Sequence, residues 1–202
     1  MTKAALKKKV VTVYIARTGT TVWEEQGRVE SAAGAPLSEE GVQEARRLAE
    51  ELSDCRISAV YAPPGEAEQQ TARILAKRLG VKRHKSDALR EIDYGLWQGL
   101  TLEDIRRRHE RVYRRWTKAP MTVQPPGGES LQDAQQRLRQ ALRDILRKRK
   151  GGGSPLLVLR PVALTLLRSI MREEDVEALW CNGDPDFTWG AYETNDQTLS
   201  GT

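Results

Sequence analysis

The sequence contains few of the residues that form cross-links and metal sites. Among its 202 residues are two cysteines, Cys55 and Cys181, and two histidines, His84 and His109. Two cysteines are too few for a disulfide framework or for a cysteine-based metal site, and they fit a reducing compartment. We therefore expect a cytoplasmic protein that holds no metal and no cofactor.

Long apolar runs are also missing. No stretch reaches the roughly 18 consecutive apolar residues of a membrane span, so we expect no contact with a membrane. The basic start MTKAALKKK is not followed by the apolar region and cleavage site of a signal peptide. The length suits one domain over residues 1–202, and we expect residues 1–9 and 190–202 to be flexible tails.

Basic residues give the chain a formal net charge of +5, and many lie in RRRHERVYRR (106–115) and RKRK (147–150). Such segments form either a surface for nucleic acid or an acidic partner, or solvated helix faces with intervening acids. No recognised nucleic-acid motif accompanies them, so we favour solvated faces and expect no nucleic acid. Residues 106–115 remain the natural surface for an acidic protein partner.

Apolar runs and helical periodicity alternate along the chain. Strands are predicted at 10–15, 57–62 and 156–159, and helices at 38–52, 66–79, 102–116, 130–150 and 163–171. This alternation predicts an α/β fold, a three-layer α/β/α sandwich around a mostly parallel central sheet. Because such sheets bind ligands beyond the carboxyl ends of their strands, we expect the site at residues 16–24, 62–68 and 160–163.

Five sequence blocks resemble, in order, the motifs of one family. The first, RTGTTVWEEQGR, is similar to the pattern Arg-His-Gly-x-Thr-x-Trp-Asn-x-x-Gly-Arg. The others are APLSEEGVQEA (35–45), QTARILA (70–76), LREIDYGLWQGLT (89–101) and PPGGES (125–130). Together they resemble the histidine phosphatase superfamily, the phosphoglycerate-mutase-like proteins, over roughly residues 10–170.

The resemblance implies phosphoryl transfer through a phosphohistidine. In this family a neutral imidazole attacks phosphorus, and two arginines and a second histidine hold the phosphoryl oxygens. A carboxylic acid protonates the leaving oxygen. Fixed cationic donors are needed because the transferred group carries negative charge, and imidazole offers a free lone pair near neutral pH.

The chain keeps only part of the residue set that the resemblance implies. The first arginine corresponds to Arg17 and the acid to Glu91. The position of the nucleophilic histidine holds Thr18, that of the second arginine holds Ala67, and that of the second histidine holds Pro161. We therefore expect a degenerate catalytic site.

No other histidine is placed to substitute. Residues 1–83 and 110–202 contain none, and neither His84 nor His109 ends a predicted core strand. Thr18 would need an adjacent base, and no histidine or lysine lies beside it. Loss of a nucleophile alone can cost on the order of 10⁶ in turnover. We therefore expect a catalytically inactive pseudophosphatase that acts by ligand or protein binding.

Two other functions stay open: a phosphomonoesterase or phosphoglycerate-mutase-type enzyme with a rearranged site, and a structural subunit of an assembly. The expected binding partners are an anionic or phosphorylated small ligand, another protein, or a second copy of the chain. The ligand-binding candidates share a place near the predicted strand ends. They are Arg17, Thr18, Thr21, Glu24, Glu91 and Arg160.

Arg160 has three alternatives. It could form an anion site beside Arg17, pair with Glu24 or Glu91 and fill the cleft, or face solvent. Glu24 stands where the family has asparagine, and its charge would disfavour a phosphate dianion.

Overall fold

A five-stranded sheet forms the centre of the computed structural model, which describes residues 10–30, 34–149, 153–181 and 186–194. The strands are β1 (Val11–Arg17), β2 (Ile57–Ala62), β3 (Lys82–Lys85), β4 (Ser154–Leu159) and β5 (Trp189–Thr194). Their spatial order is β3-β2-β4-β1-β5, and the first four are parallel while β5 runs antiparallel to β1. The predicted mostly parallel sheet is confirmed.

Helices connect the strands and cover both faces of the sheet. They are α1 (Val22–Glu25), α2 (Glu39–Glu51), α3 (Glu66–Leu79), α4 (Leu102–Arg108), α5 (Glu110–Lys118), α6 (Leu131–Lys148), α7 (Pro161–Arg172) and α8 (Val176–Cys181). Ser38 and Ser130 cap α2 and α6 through their hydroxyls, as their sequence positions predict.

The core lies in two layers because successive strand residues point to opposite faces. Val13 and Ile15 of β1 pack with Leu157 of β4 against α6 and α7. On the other face, Ala16 and Val158 pack against α2 and α3. The three-layer α/β/α arrangement is therefore confirmed.

The predicted helix over 102–116 is two helices, α4 and α5, because the backbone at His109 leaves the helical region (φ −133, ψ 43). The change in direction brings Trp116 edge-on to Trp97 and Trp180. Arg107 Nη2 lies 2.8 Å from Asp104 Oδ1, and Asp104 is an acid of the kind expected on a solvated helix face. Binding of an acidic partner here stays a prediction.

Two strands lie where none was predicted. β3 reads KRHK and is exposed throughout, so it lacks the apolar alternation that signals a strand. β5 includes residues 190–194, for which the tail prediction is wrong: these residues pair with β1, and Trp189 packs near Tyr14. The predicted tails at 1–9 and 195–202 lie outside the described residues.

Among the described residues, the helices fall short of the length and apolarity that a membrane crossing requires.

Candidate functional site

The site lies where β1 and β4 end side by side. Arg17 is the register partner of Leu159, and the backbone N–H of Thr18 donates to the Leu159 carbonyl at 2.9 Å. Arg160 follows at once and precedes the first turn of α7. The Gly19 N–H donates to the Thr71 hydroxyl of α3 at 3.3 Å, which brings the loop after β2 to the same edge. The three segments predicted to form the site are thus neighbours.

Arg17 faces a carboxylate that α1 holds in place. Its Nη2 lies 3.1 Å from Glu24 Oε1. Glu24 Oε2 accepts from the Thr21 N–H at 3.0 Å, and the Thr21 hydroxyl accepts from the Glu24 N–H at 3.0 Å. This reciprocal capping box fixes both side chains. Of the predicted candidates, Thr21 therefore acts mainly by orienting Glu24.

Arg160 is buried in an ion pair. Its Nη2 lies 2.7 Å from Glu30 Oε1 and 3.8 Å from Glu24 Oε2. The Thr21 hydroxyl also donates to Glu30. Of the three alternatives for Arg160, the structure shows an ion pair. Glu24 is one of its predicted partners, and Glu30, which was not predicted, lies nearer to Arg160. Exposure to solvent is ruled out, because only 3% of its side chain is exposed.

Two hydrogen-bond donors of Arg160 are nevertheless unpaired within the described part of the chain. Its Nε and Nη1 are buried and have no hydrogen-bond partner among the described residues, and the same holds for Thr18 Oγ1. Buried polar groups nearly always pair, so unpaired ones in a cleft indicate a site for a polar occupant.

The side chain of Glu91 lies at the N-terminus of α7. Its carboxylate accepts from the N–H groups of Val162 and Ala163, each at 2.9 Å, and from its own neighbour Ile92 at 2.7 Å. Burial raises the pKa of Glu91, although these N–H groups and Arg160 oppose the rise. The retained acid is therefore rigidly held, and its pKa is higher than that of an ordinary glutamate.

Two glutamates of the site were missed from the sequence. Glu30 pairs with Arg160, and Glu68 of α3 is 4% exposed, with its Oε2 lacking a partner in the described part of the chain. Burial raises the pKa of Glu68, and Arg160 partly offsets that rise. Both lie in polar stretches, and neither periodicity nor a motif signals that they are buried.

Other predicted positions lie at the margin of the site. Ala67 is fully buried in a cluster with Leu37 and Ala45. Pro161 is the first residue of α7. His84 stacks on Tyr61 at 4.9 Å, in a strand that β2 and β4 separate from β1, and it therefore lies away from the site.

Two cavities meet at this site. One of about 210 Å³ is lined by Glu24 and by aromatic side chains, including Tyr94 and Trp97. The other, of about 130 Å³, includes Glu68 and the turn before α3. Three residues line both: Glu30, Glu91 and Arg160. These three residues therefore stand between an aromatic chamber and an acidic one.

Phe187 and Thr188 lie beside Arg17. The Thr188 carbonyl accepts from the Arg17 N–H at 2.8 Å, and Phe187 borders a third cavity of about 260 Å³ together with Arg17 and Thr18. Across the described ranges, no group of three or more His, Cys, Asp or Glu side chains is arranged to hold a metal ion.

Relatives of this chain are named for phosphoryl chemistry. "Phosphoserine phosphatase 1" of Hydrogenobacter thermophilus is 28% identical over 188 residues, covering 93% of this chain and 89% of that protein. "Probable phosphoglycerate mutase GpmB" of Enterobacter sp. is 33% identical over 157 residues, 78% of this chain and 73% of that protein. These names overturn the expectation of an inactive pseudophosphatase and favour its enzymatic alternative.

Solved structures show the same fold. Bacillus stearothermophilus YhfR superposes with a TM-score of 0.83 at 27% identity, covering 92% of each chain. A mycobacterial glucosyl-3-phosphoglycerate phosphatase gives 0.83 at 21% identity over 96% of this chain and 95% of that one. The sequence pattern of the histidine phosphatase superfamily (branch 1) matches residues 13–197. The chain belongs to the histidine phosphatase superfamily.

Proposed function

We propose that this protein is a phosphomonoesterase, which transfers the phosphoryl group of a small phosphorylated ligand to water. The observation that carries the proposal is that a rigid carboxyl, Glu91, and a buried guanidinium, Arg160, line the same two cavities. Glu91 is held by the N-terminus of α7, and Arg160 immediately precedes that helix with two unpaired donor atoms. This arrangement supplies a proton donor and a phosphoryl-binding group at one point of the cleft.

Binding of the phosphoryl group falls to the cations at the strand ends. Arg160 can direct one of its two unpaired donors, Nε or Nη1, to a phosphoryl oxygen while Nη2 stays on Glu30. Arg17 is partly exposed and can turn from Glu24 toward the same oxygens. Charge-assisted hydrogen bonds of this kind are the main source of stabilisation in phosphoryl transfer. Thr18 Oγ1 supplies a further neutral donor.

Glu91 is suited to protonate the leaving alcohol. A general acid works best when its pKa lies near the working pH, and burial moves the pKa of Glu91 in that direction. The aromatic cavity beside it, which includes Tyr94 and Trp97, offers space for the alcohol part of the ester.

The chemistry cannot pass through a phosphohistidine in these two cavities, because the chain's two histidines, His84 and His109, line neither of them. The proposal therefore departs from the family mechanism at its first step. Substrates of the relatives named above, phosphoserine and phosphoglycerate, are small phosphomonoesters and define the class to test first. We also propose a reducing compartment such as the cytoplasm, which the free Cys55 and Cys181 support.

The test is release of inorganic phosphate from a panel of monoesters between pH 5 and 8. We expect turnover by the wild-type protein and a loss of at least about 10²-fold in kcat for Glu91→Gln with alkyl esters. Glu50→Gln is the matched control, since Glu50 pairs with Arg78 on the exposed surface. Phosphate release that is equal in the wild type, in Glu91→Gln and in a blank purification would contradict the proposal.

A further inference from the structure

Glu68 is a buried carboxyl that the chemistry above does not use. It lies in the first turn of α3 and is 4% exposed. A Cβ added at position 65 would clash with its Oε2, so the carboxyl packs directly over Gly65. A side chain folded over the glycine in this way is held in one place.

The groups that face Glu68 come from several elements. Arg160, at the junction of β4 and α7, attracts the Glu68 carboxylate, whereas Glu24 of α1 and Glu30 repel it. The cavity that it lines is also bordered by Glu91, and at its rim by Asp87, Arg90 and Asp93. Acids therefore outnumber cations in this chamber, which disfavours a second anion there and leaves space for a neutral molecule.

Unpaired hydrogen-bond donors and an unpaired acceptor belong to residues that line this cavity. Arg160 presents two buried donors, Nε and Nη1, and Glu68 presents one buried acceptor, Oε2; none has a partner in the described ranges. The occupant that satisfies both must accept from a guanidinium and donate to a carboxylate. Water does both and is the smallest such molecule, which suits a cavity of about 130 Å³.

We infer that Glu68 is the general base that activates this water for direct attack on phosphorus, an inference that rests on the phosphomonoesterase function proposed above. The Glu68 carboxylate removes a proton from water as the water oxygen bonds to phosphorus. The bond from phosphorus to the alcohol oxygen breaks, and the Glu91 carboxyl gives its proton to that oxygen. Glu68 then returns a proton to solvent and Glu91 regains one, so the sum is ester plus water to alcohol plus phosphate.

The two cavities give this step its geometry. Phosphoryl transfer needs the attacking and leaving oxygens on opposite sides of phosphorus. Arg160, Glu30 and Glu91 line both cavities, so a phosphoryl group held by Arg160 lies between them. Water then approaches from the Glu68 side and the alcohol departs into the aromatic side. Burial raises the pKa of Glu68, which makes its carboxylate a stronger base than an exposed glutamate.

The experiment compares wild type, Glu68→Gln, Glu68→Asp and the matched control Glu66→Gln, which alters an exposed acid in the same helical turn. The substrate is p-nitrophenyl phosphate, whose leaving group needs little protonation. We expect Glu68→Gln to lower kcat by about 10²–10⁴-fold with little change in KM, and to remove the acidic limb of the pH profile. Glu68→Asp should retain part of the activity, and Glu66→Gln all of it.

Two readouts separate catalysis from a structural role. Azide or formate should restore turnover to Glu68→Ala, and hydrolysis of a chiral phosphate ester should invert configuration at phosphorus, since water attacks directly. Glu68→Gln with wild-type kcat, or retention of configuration, would overturn the inference and leave the phosphomonoesterase function intact. A wild-type protein without turnover would overturn both. If Glu68→Gln does not fold, the stereochemical outcome with the wild-type protein decides the inference.

Discussion

Arg160 and Glu30 form a buried ion pair, with 2.7 Å between Nη2 and Oε1, at the centre of the cleft. Breaking a buried pair by removing one partner costs up to about 3–5 kcal/mol, because the remaining charge is left uncompensated. The positive charge of Arg160, which Glu30 neutralises, is also the charge that a bound phosphoryl group requires. Glu30 therefore stabilises the fold at the expense of anion affinity.

Glu30→Gln should separate these two effects. The amide keeps an acceptor for the Thr21 hydroxyl but removes the charge that Arg160 faces. We expect a lower melting temperature without ligand and a larger upward shift with millimolar phosphate, because a ligand that binds the folded state stabilises it. Differential scanning fluorimetry measures both.

The matched control is Glu129→Gln, which removes the acid of the Arg137–Glu129 pair at 2.6 Å, outside the cleft. It should lower the melting temperature but leave the phosphate-induced shift unchanged. Equal phosphate shifts in wild type and Glu30→Gln would show that Arg160 does not bind the anion.

Glu24→Gln should strengthen substrate binding without weakening α1. Glutamine still completes a capping box, whereas the charge beside Arg17 is lost. We expect KM for a phosphomonoester dianion to fall several-fold and the stability to change by less than about 1 kcal/mol. The control is Glu25→Gln, which removes an equal charge from an exposed side chain of the same helix. A KM that falls equally in both variants would indicate a general charge effect.

Stability should depend on pH through Glu68. Burial raises the pKa of Glu68 in the folded protein, so above the ordinary glutamate pKa the folded state binds more protons than the unfolded state. The stability that Glu68 contributes is fully present below the ordinary glutamate pKa and is lost as pH rises through its raised pKa in the folded protein. Glu68→Gln removes this loss.

Urea unfolding at pH 4.5, 6 and 7.5 measures the effect. We expect Glu68→Gln to become more stable relative to wild type as pH rises, so that its unfolding free energy exceeds that of wild type by an increasing amount. Glu66→Gln should track wild type at each pH, because Glu66 is exposed. Parallel pH curves for wild type and Glu68→Gln would mean that the Glu68 carboxyl is not destabilised by burial.

The elements that could be predicted from the sequence are those with a repeating apolar pattern. The strands at β1, β2 and β4 are buried runs, and α3 ends at Leu79 as predicted, with Gly80 (φ 66) as its left-handed cap. β3 could not be found this way, since KRHK is exposed along its length and forms a strand through its pairing with β2.

Some residues of the site could likewise be predicted from the sequence and others could not. Arg17, Glu91 and Arg160 adjoin recognisable motifs or strand ends, so the sequence could place them. Glu30 and Glu68 could not be placed, because an acid in a polar stretch carries no periodic signal and its burial depends on residues distant in sequence. Glu30 meets Arg160 across 130 positions, and this contact exists only once β1, β4 and α7 are packed.

Gly65→Ala provides an independent test of how the Glu68 carboxyl is positioned. A Cβ at this residue would clash with Glu68 Oε2, so the carboxyl must move, while the backbone at φ −55 accepts alanine without strain. We expect the variant to fold and to lose kcat by at least about 10-fold, since misplacement of a catalytic group by 1 Å can cost 10²-fold.

A double-mutant cycle joins Gly65→Ala to Glu68→Gln. If the alanine acts by displacing the carboxyl, it should cost little kcat once that carboxyl is gone, and the two effects should be strongly non-additive. Melting temperatures of all four proteins control for stability. Additive losses in kcat would place the effect of Gly65→Ala elsewhere in the turn before α3 and would remove the support that the position of Glu68 gives to its role as a base.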